Sequence, residues 1–198
     1  MKLKRNIQLI DQHNNRGFYL NKFGGNFVAE TAIKPIEDLS NLFEKLRKNK
    51  KFLKKRDKYF KYYLGGETPF FKLENLTKYL GGAQIWCKDV SAINGDAHKA
   101  YHATVNALIC KESGKRYIAG DTGAGMFGKN LALAAKKMGL SAKIFMGTKD
   151  ISRQAPNVKF MRDAGAEVVP VDSGSKTLVD AVSECMRHYV SNCDTTHL

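Results

Sequence analysis

Arg116-Tyr117-Ile118-Ala119-Gly120-Asp121-Thr122-Gly123-Ala124-Gly125-Met126-Phe127-Gly128 runs from a short apolar stretch through a glycine-rich turn into a second apolar segment. Strand, turn and helix in that order leave backbone N–H groups pointing out of the turn, where they can cradle a carboxylate or a phosphate. On either side the pattern repeats. Apolar runs at Gln84 to Cys87, Arg116 to Ala119, Ala142 to Met146 and Glu167 to Val171 predict strands, and helical spacing follows each at about 98–111, 128–138, 153–164 and 176–191. The last segment is the clearest, with Leu178, Ala181, Val182, Cys185 and Tyr189 on one face. Four such alternations predict an α/β fold: a parallel sheet with covering helices, joined by right-handed crossovers. In such sheets ligands sit beyond the carboxyl ends of the strands. Asn94-Gly95-Asp96-Ala97-His98-Lys99 also falls after a strand, at a predicted helix start. A lysine there, facing an anion cradle, points to imine chemistry on an amino acid.

The chain of 198 residues, 43% hydrophobic, is long enough for a substantial core in one domain or a domain with a subdomain. No stretch approaches the roughly 20 apolar residues that span a bilayer, and Met1 to His13 lacks a signal-peptide core, so the expected location is cytoplasmic with no membrane contact. Cys87, Cys110, Cys185 and Cys193 lie far apart without paired spacing, which disfavours a zinc site or disulfides. Residues 1–16 are expected to form an arm, and residues 17–30 to be extended and turning. Ile36, Leu39, Leu42, Phe43 and Leu46 predict a helix that runs on, or breaks and restarts, through the basic stretch. The formal charge of +14 is concentrated there: residues 41–63 hold ten Lys or Arg against Glu44 and Asp57. With Phe52, Tyr59, Phe60, Tyr62 and Tyr63 interleaved, this stretch could meet phosphates and stack on bases. A solvated helix face is the simpler reading, because no nucleic-acid recognition motif accompanies it. The expected division is residues 1–64, arm and basic helical region, and residues 65–198, the α/β domain. At the end, Asp194 to Leu198 occupies the place where the alternation calls for another strand.

Two other chemistries fit parts of the pattern. Gly123-x-Gly125-x-x-Gly128 formally matches the dinucleotide fingerprint, but the next strand runs into Gly147-Thr148-Lys149 with Asp150 late, and a strand and helix precede the turn. Both argue against a nicotinamide or flavin. His98 and His102 are four apart with Asp96 near, yet they lack a third ligand and adjoin the cation Lys99, so no metal is expected.

From about Gly17 onward a series of blocks resembles the beta subunit of tryptophan synthase, a fold-type II pyridoxal-phosphate enzyme. The blocks are Phe23 to Thr31 (FGGNFVAET), Thr68-Pro69, Leu80 to Ala83 (LGGA), Ala97-His98-Lys99, Thr122 to Gly125 (TGAG), Met146-Gly147, Arg153 to Val158 (RQAPNV), Gly165 to Val168 (GAEV) and Ser173 to Leu178 (SGSKTL). Many short blocks in one order are far more specific than any one of them.

The resemblance implies the amino-terminal domain of that fold, incomplete, with a mobile communication-type subdomain over about 126–198 and the second domain absent. It implies a lyase of tryptophan biosynthesis that replaces the hydroxyl of L-serine with indole to give L-tryptophan. Lys99 would hold pyridoxal 5'-phosphate and move protons at the substrate α-carbon, and His98 would neighbour the cofactor phosphate. Thr122, Gly123, Ala124 and Gly125 would bind the substrate carboxylate, and Arg153 would pair with an aspartate of the other domain on closure. Asp121 stands where the family has the glutamate that assists loss of the hydroxyl and attack by indole. It is shorter by one methylene, a retreat of about 1 Å. Met126 and Phe127 replace a glutamine and a histidine, Asp96 a glycine, and Tyr101 an asparagine. Val179 occupies the place of a lysine that contacts the alpha subunit, which argues against that partnership. The expected arrangement is one wall of a site, completed by a complementing carboxy-terminal half or a homo-oligomer. The alternatives are a catalytically dead relative that binds a partner, or a nucleic-acid binder acting through residues 41–63.

Overall fold

The computed structural model describes residues 17–20 and 22–198, so the expected arm at residues 1–16 lies outside the described residues. Contacts divide the chain into two compact units, residues 1–38 and 39–198. In the first, β1 (Phe18–Tyr19) and β2 (Phe23–Gly24) pair antiparallel, and Phe18 meets Phe27 edge to face, ring centroids 6.0 Å apart. Helix α1 (Glu30–Leu46) begins in this unit and ends in the second.

The basic stretch breaks and restarts. The Asn49 side chain accepts from the N–H groups of Lys51 (2.9 Å) and Phe52 (3.2 Å), two donors that a helix start would otherwise leave unmet, and α2 (Lys50–Tyr62) begins there. Phe52 is buried and Leu53 and Tyr59 pack on the same core, so most of the aromatic side chains interleaved with the lysines turn inward. Tyr62 is the exception at 73% exposed. Base stacking therefore loses most of its supposed partners.

The second unit is built on four parallel strands in the order β7-β6-β5-β8: β7 (Glu167–Val171), β6 (Ser141–Gly147), β5 (Tyr117–Asp121) and β8 (Thr196–His197). Pro170 sits in β7, at one edge. Helices α4 (Lys99–Glu112), α5 (Met126–Met138) and α7 (Ala155–Asp163) cover one face, where Leu108, Leu131 and Met161 close over Ile118, Ile144 and Met146. Leu46 and Phe52 join this core. Helix α8 (Leu178–Ser191) covers the other face, placing Ala181 and Cys185 on Ala119, Phe145 and Val171. Each large aliphatic side chain removed from water in this way contributes about 1.5–3 kcal/mol. The parallel sheet with covering helices is thus present.

One expectation needs correction. The run at Gln84 to Cys87 does not join the parallel sheet: β4 (Trp86–Lys88) pairs antiparallel with β3 (Phe70–Lys72) in a separate two-stranded sheet, with α3 (Glu74–Leu80) between them. The fourth parallel strand is instead β8, in the place where the alternation called for one. The helix expected over 153–164 is α7, and a further short helix, α6 (Thr148–Arg153), precedes it, the two separated where Gln154 leaves helical geometry at φ −115°, ψ 31° and Pro156 follows.

Candidate active site

Helix α4 connects directly to β5 through a four-residue turn and returns along the sheet, so its first residue, Lys99, lies at the carboxyl end of β5, where Asp121 leads into the glycine turn. Its 14 residues span about 21 Å, enough to carry Lys99 from the amino end of β5 to its carboxyl end. Leu64, Ile93 and Ala100 form a small core beneath this helix start, and Tyr101 meets Phe60 edge to face at 5.0 Å. His98 is exposed and Lys99 half-buried. Lys99 has no carboxylate partner within 4.0 Å among the described residues, which leaves its amine uncommitted. One turn on, the His102 ring stacks on Phe127 at 5.0 Å. Burial, and then the Lys99 charge, hold the His102 imidazole below its usual pKa, so its neutral form is favoured.

Thr122 anchors the glycine turn rather than offering its own groups. Its N–H donates to the Phe145 carbonyl (3.0 Å), and its hydroxyl accepts from Gly128 N–H (3.4 Å). The N–H groups of Gly123, Ala124 and Gly125 make no hydrogen bond to protein among the described residues. Gly125 adopts φ +87°, and a Cβ there would stand 2.7 Å from the Asn157 Cβ; the Asn157 side chain donates to the Ala124 carbonyl (3.0 Å) and fixes the turn from outside. A Cβ on Gly123 would reach Leu178 at 3.3 Å and the Asp150 carboxylate at 3.7 Å. Leu178 is placed there by the segment before α8, in which Ser175 donates to Asp180 of the first helical turn at 2.6 Å and the Lys176 carbonyl accepts from Lys149 N–H at 3.1 Å.

Asp121 shares the strand period of Ala119 and so faces α8, whereas Lys99 opens a helix on the opposite face of the sheet. Both reach the same carboxyl edge, and the turn crosses between them. Burial raises the Asp121 carboxyl above its ordinary pKa, only partly offset by a backbone N–H. The Cys185 thiol is pushed up to about 12 by burial and by the Asp121 charge. Arg153 is 71% exposed, and its nearest recorded carboxylate is Asp150 at 4.0 Å, so its guanidinium is largely open to solvent. The edge therefore gathers an uncommitted amine, three N–H donors without a protein partner among the described residues, a carboxyl whose pKa burial raises and an accessible guanidinium.

Asn157, Asp150 and Leu178 frame the turn, a role the sequence suggests for none of them; Leu178 is legible there only as part of an apolar helix face and of a matching block. Asp150 was read only as too late for a ribose, and Asn157 only as part of a matching block. At the amino edge of the sheet, far along the strands from Lys99, Tyr117, Lys143, Glu167 and His188 line a cleft of about 440 Å³.

A family profile described as "Pyridoxal-phosphate dependent enzyme" matches residues 62–196. The chain is 44% identical over 174 residues to the tryptophan synthase beta chain of Acinetobacter calcoaceticus, an overlap of 88% of this chain and 43% of that one. It is 42% identical over 178 residues to the tryptophan synthase beta chain of Xanthomonas campestris pv. campestris, covering 90% and 44%. It thus spans less than half the length of these relatives. Among solved structures, Escherichia coli diaminopropionate ammonia lyase in apo form superposes with a TM-score of 0.54 at 23% identity, over 72% of this chain and 43% of that one. A pyridoxal 5'-phosphate-dependent aspartate racemase gives 0.55 at 20% identity, over 72% and 43%. At such identities these two likenesses speak for the fold alone, and they agree with the four-stranded parallel sheet.

Proposed function

Because the chain belongs to the pyridoxal-phosphate dependent enzyme family, we propose that it forms the Lys99 wall of a tryptophan synthase beta-type site, which replaces the hydroxyl of L-serine with indole to give L-tryptophan. The observation that carries this reading is an uncommitted amine at a helix start together with a turn whose three N–H groups have no protein partner among the described residues. That donor set fits the cofactor: a primary amine for its aldehyde, and the exposed imidazole of His98 for its phosphate. When bound, pyridoxal phosphate supplies an electron sink for negative charge at the substrate α-carbon.

The residues of this chain divide the remaining work. Lys99 holds the cofactor and then moves a proton at the α-carbon. The N–H groups of Gly123, Ala124 and Gly125 bind the substrate carboxylate, and their fixed directions mean that no reorganisation is needed as charge develops. Thr122 serves that cradle by anchoring it, since its own N–H is committed to Phe145. Asp121, whose carboxyl burial raises above its ordinary pKa, can deliver a proton to the departing hydroxyl and recover one from indole. Arg153, exposed, is free to pair with a carboxylate brought to the site on closure. A second polypeptide, or a second copy, would supply the opposite wall.

Addition of pyridoxal phosphate, alone and with a candidate second half, should give a visible absorption band that Lys99→Ala removes. Absence of any Lys99-dependent band in both settings overturns the reading.

A further inference from the structure

The loop that presents Lys99 is fastened to the helix behind the glycine turn by two neighbouring side chains. Asn130, 2% exposed on α5, donates through Nδ2 to the Gly95 carbonyl (3.1 Å) and to the Met126 carbonyl (2.8 Å). It therefore bridges the Lys99 loop and the first residue of α5 with a single amide. Gly95 leaves no alternative, because a Cβ there would fall 1.8 Å from the Asn130 Oδ1, and its φ of +106° suits glycine. Next along the helix, Lys129 Nζ bonds Asp96 Oδ2 at 2.7 Å, and its side chain is only 15% exposed and lies over the Phe160 ring at 4.8 Å. Asp96 is one of three described non-glycine residues with positive φ, at +57°. The ion pair holds it in that backbone region, three residues before Lys99.

We infer that Asn130 and Lys129 are positioning residues that set the distance between the Lys99 amine and the substrate-binding turn. Neither touches substrate. This rests on the proposed role of Lys99. The amide bridge is buried and directional, so the loop and the turn move as one piece. Lys129 adds a second anchor and neutralises a carboxylate that would otherwise stand uncompensated close to the amine and to any anionic group bound near His98.

The test uses the full chain and two readouts. The first needs no cofactor: hydrogen exchange at the amides of Asn94 and Asp96, which donate to the Leu64 and Ile93 carbonyls (3.1 and 2.9 Å). In Asn130→Ala and in Lys129→Met these amides should exchange about tenfold faster, the order expected for losing buried or charge-assisted bonds, while the amides of β6 keep their rates. Lys129→Arg should restore the slow rate, and Gly95→Ala, which expels Asn130, should reproduce Asn130→Ala. The second readout is reductive trapping of pyridoxal phosphate on lysines, followed by peptide mass spectrometry. Lys50 and Lys51 of α2 serve as internal references for reagent and folding. Selectivity for Lys99 over these two should fall about fivefold or more in Asn130→Ala and Lys129→Met, and return in Lys129→Arg. Unchanged exchange at Asn94 and Asp96, or equal acceleration in β6, overturns the tie. Faster exchange with undiminished selectivity for Lys99 overturns the positioning role. If the unaltered chain shows no preference for Lys99, the functional reading falls together with that role, and the exchange result alone judges the tie.

Discussion

Gly125→Ala tests whether the turn geometry is as tightly determined as the contacts around it indicate. Two costs are separable. The first is conformational: at φ +87° an L-residue pays about 1–2 kcal/mol that glycine does not. The second is steric. The new Cβ would stand 2.7 Å from the Asn157 Cβ and 3.0 Å from Nδ2 of an asparagine whose amide is bonded to Ala124, and forcing such a group aside typically costs about 1–3 kcal/mol. The total, about 2–5 kcal/mol, is a large share of the roughly 5–15 kcal/mol that a domain commands. Urea unfolding followed by circular dichroism would read it as a lower midpoint with an unchanged slope, or as a fall of about 5–15 °C in melting temperature. Adding Asn157→Ala separates the two costs. It should return the steric part, so that the double variant is less destabilised than the sum of the singles, with a coupling of about 1 kcal/mol or more. A Gly125→Ala chain within about 0.5 kcal/mol of the parent, or a pair of substitutions that merely adds, refutes the argument.

Three further outcomes follow from other features. His197 is 2% exposed, its Nε2 has no hydrogen-bond partner among the described residues, and burial with the nearby Lys115 charge depresses its pKa from 6.5 to about 4. Stability is therefore fully present above about pH 6.5 and is lost as pH falls toward about 4, by up to about 3 kcal/mol. His197→Gln should flatten that part of the pH–stability curve, and a curve of unchanged slope would count against the assignment. Cys110 and Cys185 are buried with thiols pushed up to about 11 and about 12, so a thiol reagent should modify only Cys87 and Cys193 in the folded chain and all four after denaturation; fast labelling of Cys185 in the fold contradicts its placement. Arg153→Ala should leave the melting temperature within about 1–2 °C of the parent, since an exposed pair at 4.0 Å contributes little, and a larger loss would show that Arg153 is structural.

Local chemistry was legible in the sequence, and long-range pairing was not. Lys99, the glycine turn and the helices near 98–111, 128–138 and 176–191 could be read because each is a short-range pattern: a charge at a helix start, glycines that admit positive φ, apolar residues at helical spacing. Gln84 to Cys87 reads as a strand in any setting, because an apolar run of four carries no information about its partner. Its mate at Phe70–Lys72 went unread because two exposed phenylalanines beside a lysine do not alternate. Helix α7 falls where the sequence places one, while α6 ahead of it is too short, at six residues, to show a helical period. The bridge from Asn130 to Gly95 spans 35 residues, and no periodicity in either segment encodes it. Thr122 was expected to offer its N–H to a ligand, and only strand pairing reveals that Phe145 already takes it.

The proline in β7 has an outcome for assembly. An outer strand offers a row of open donors and acceptors to any extended peptide that drifts alongside, and Pro170, with no hydrogen on its nitrogen, interrupts that row. At the opposite margin Thr196 and His197 are each 2% exposed, so burial covers that side. The two margins are thus withheld from a further strand by different means, a missing donor on one side and covering atoms on the other.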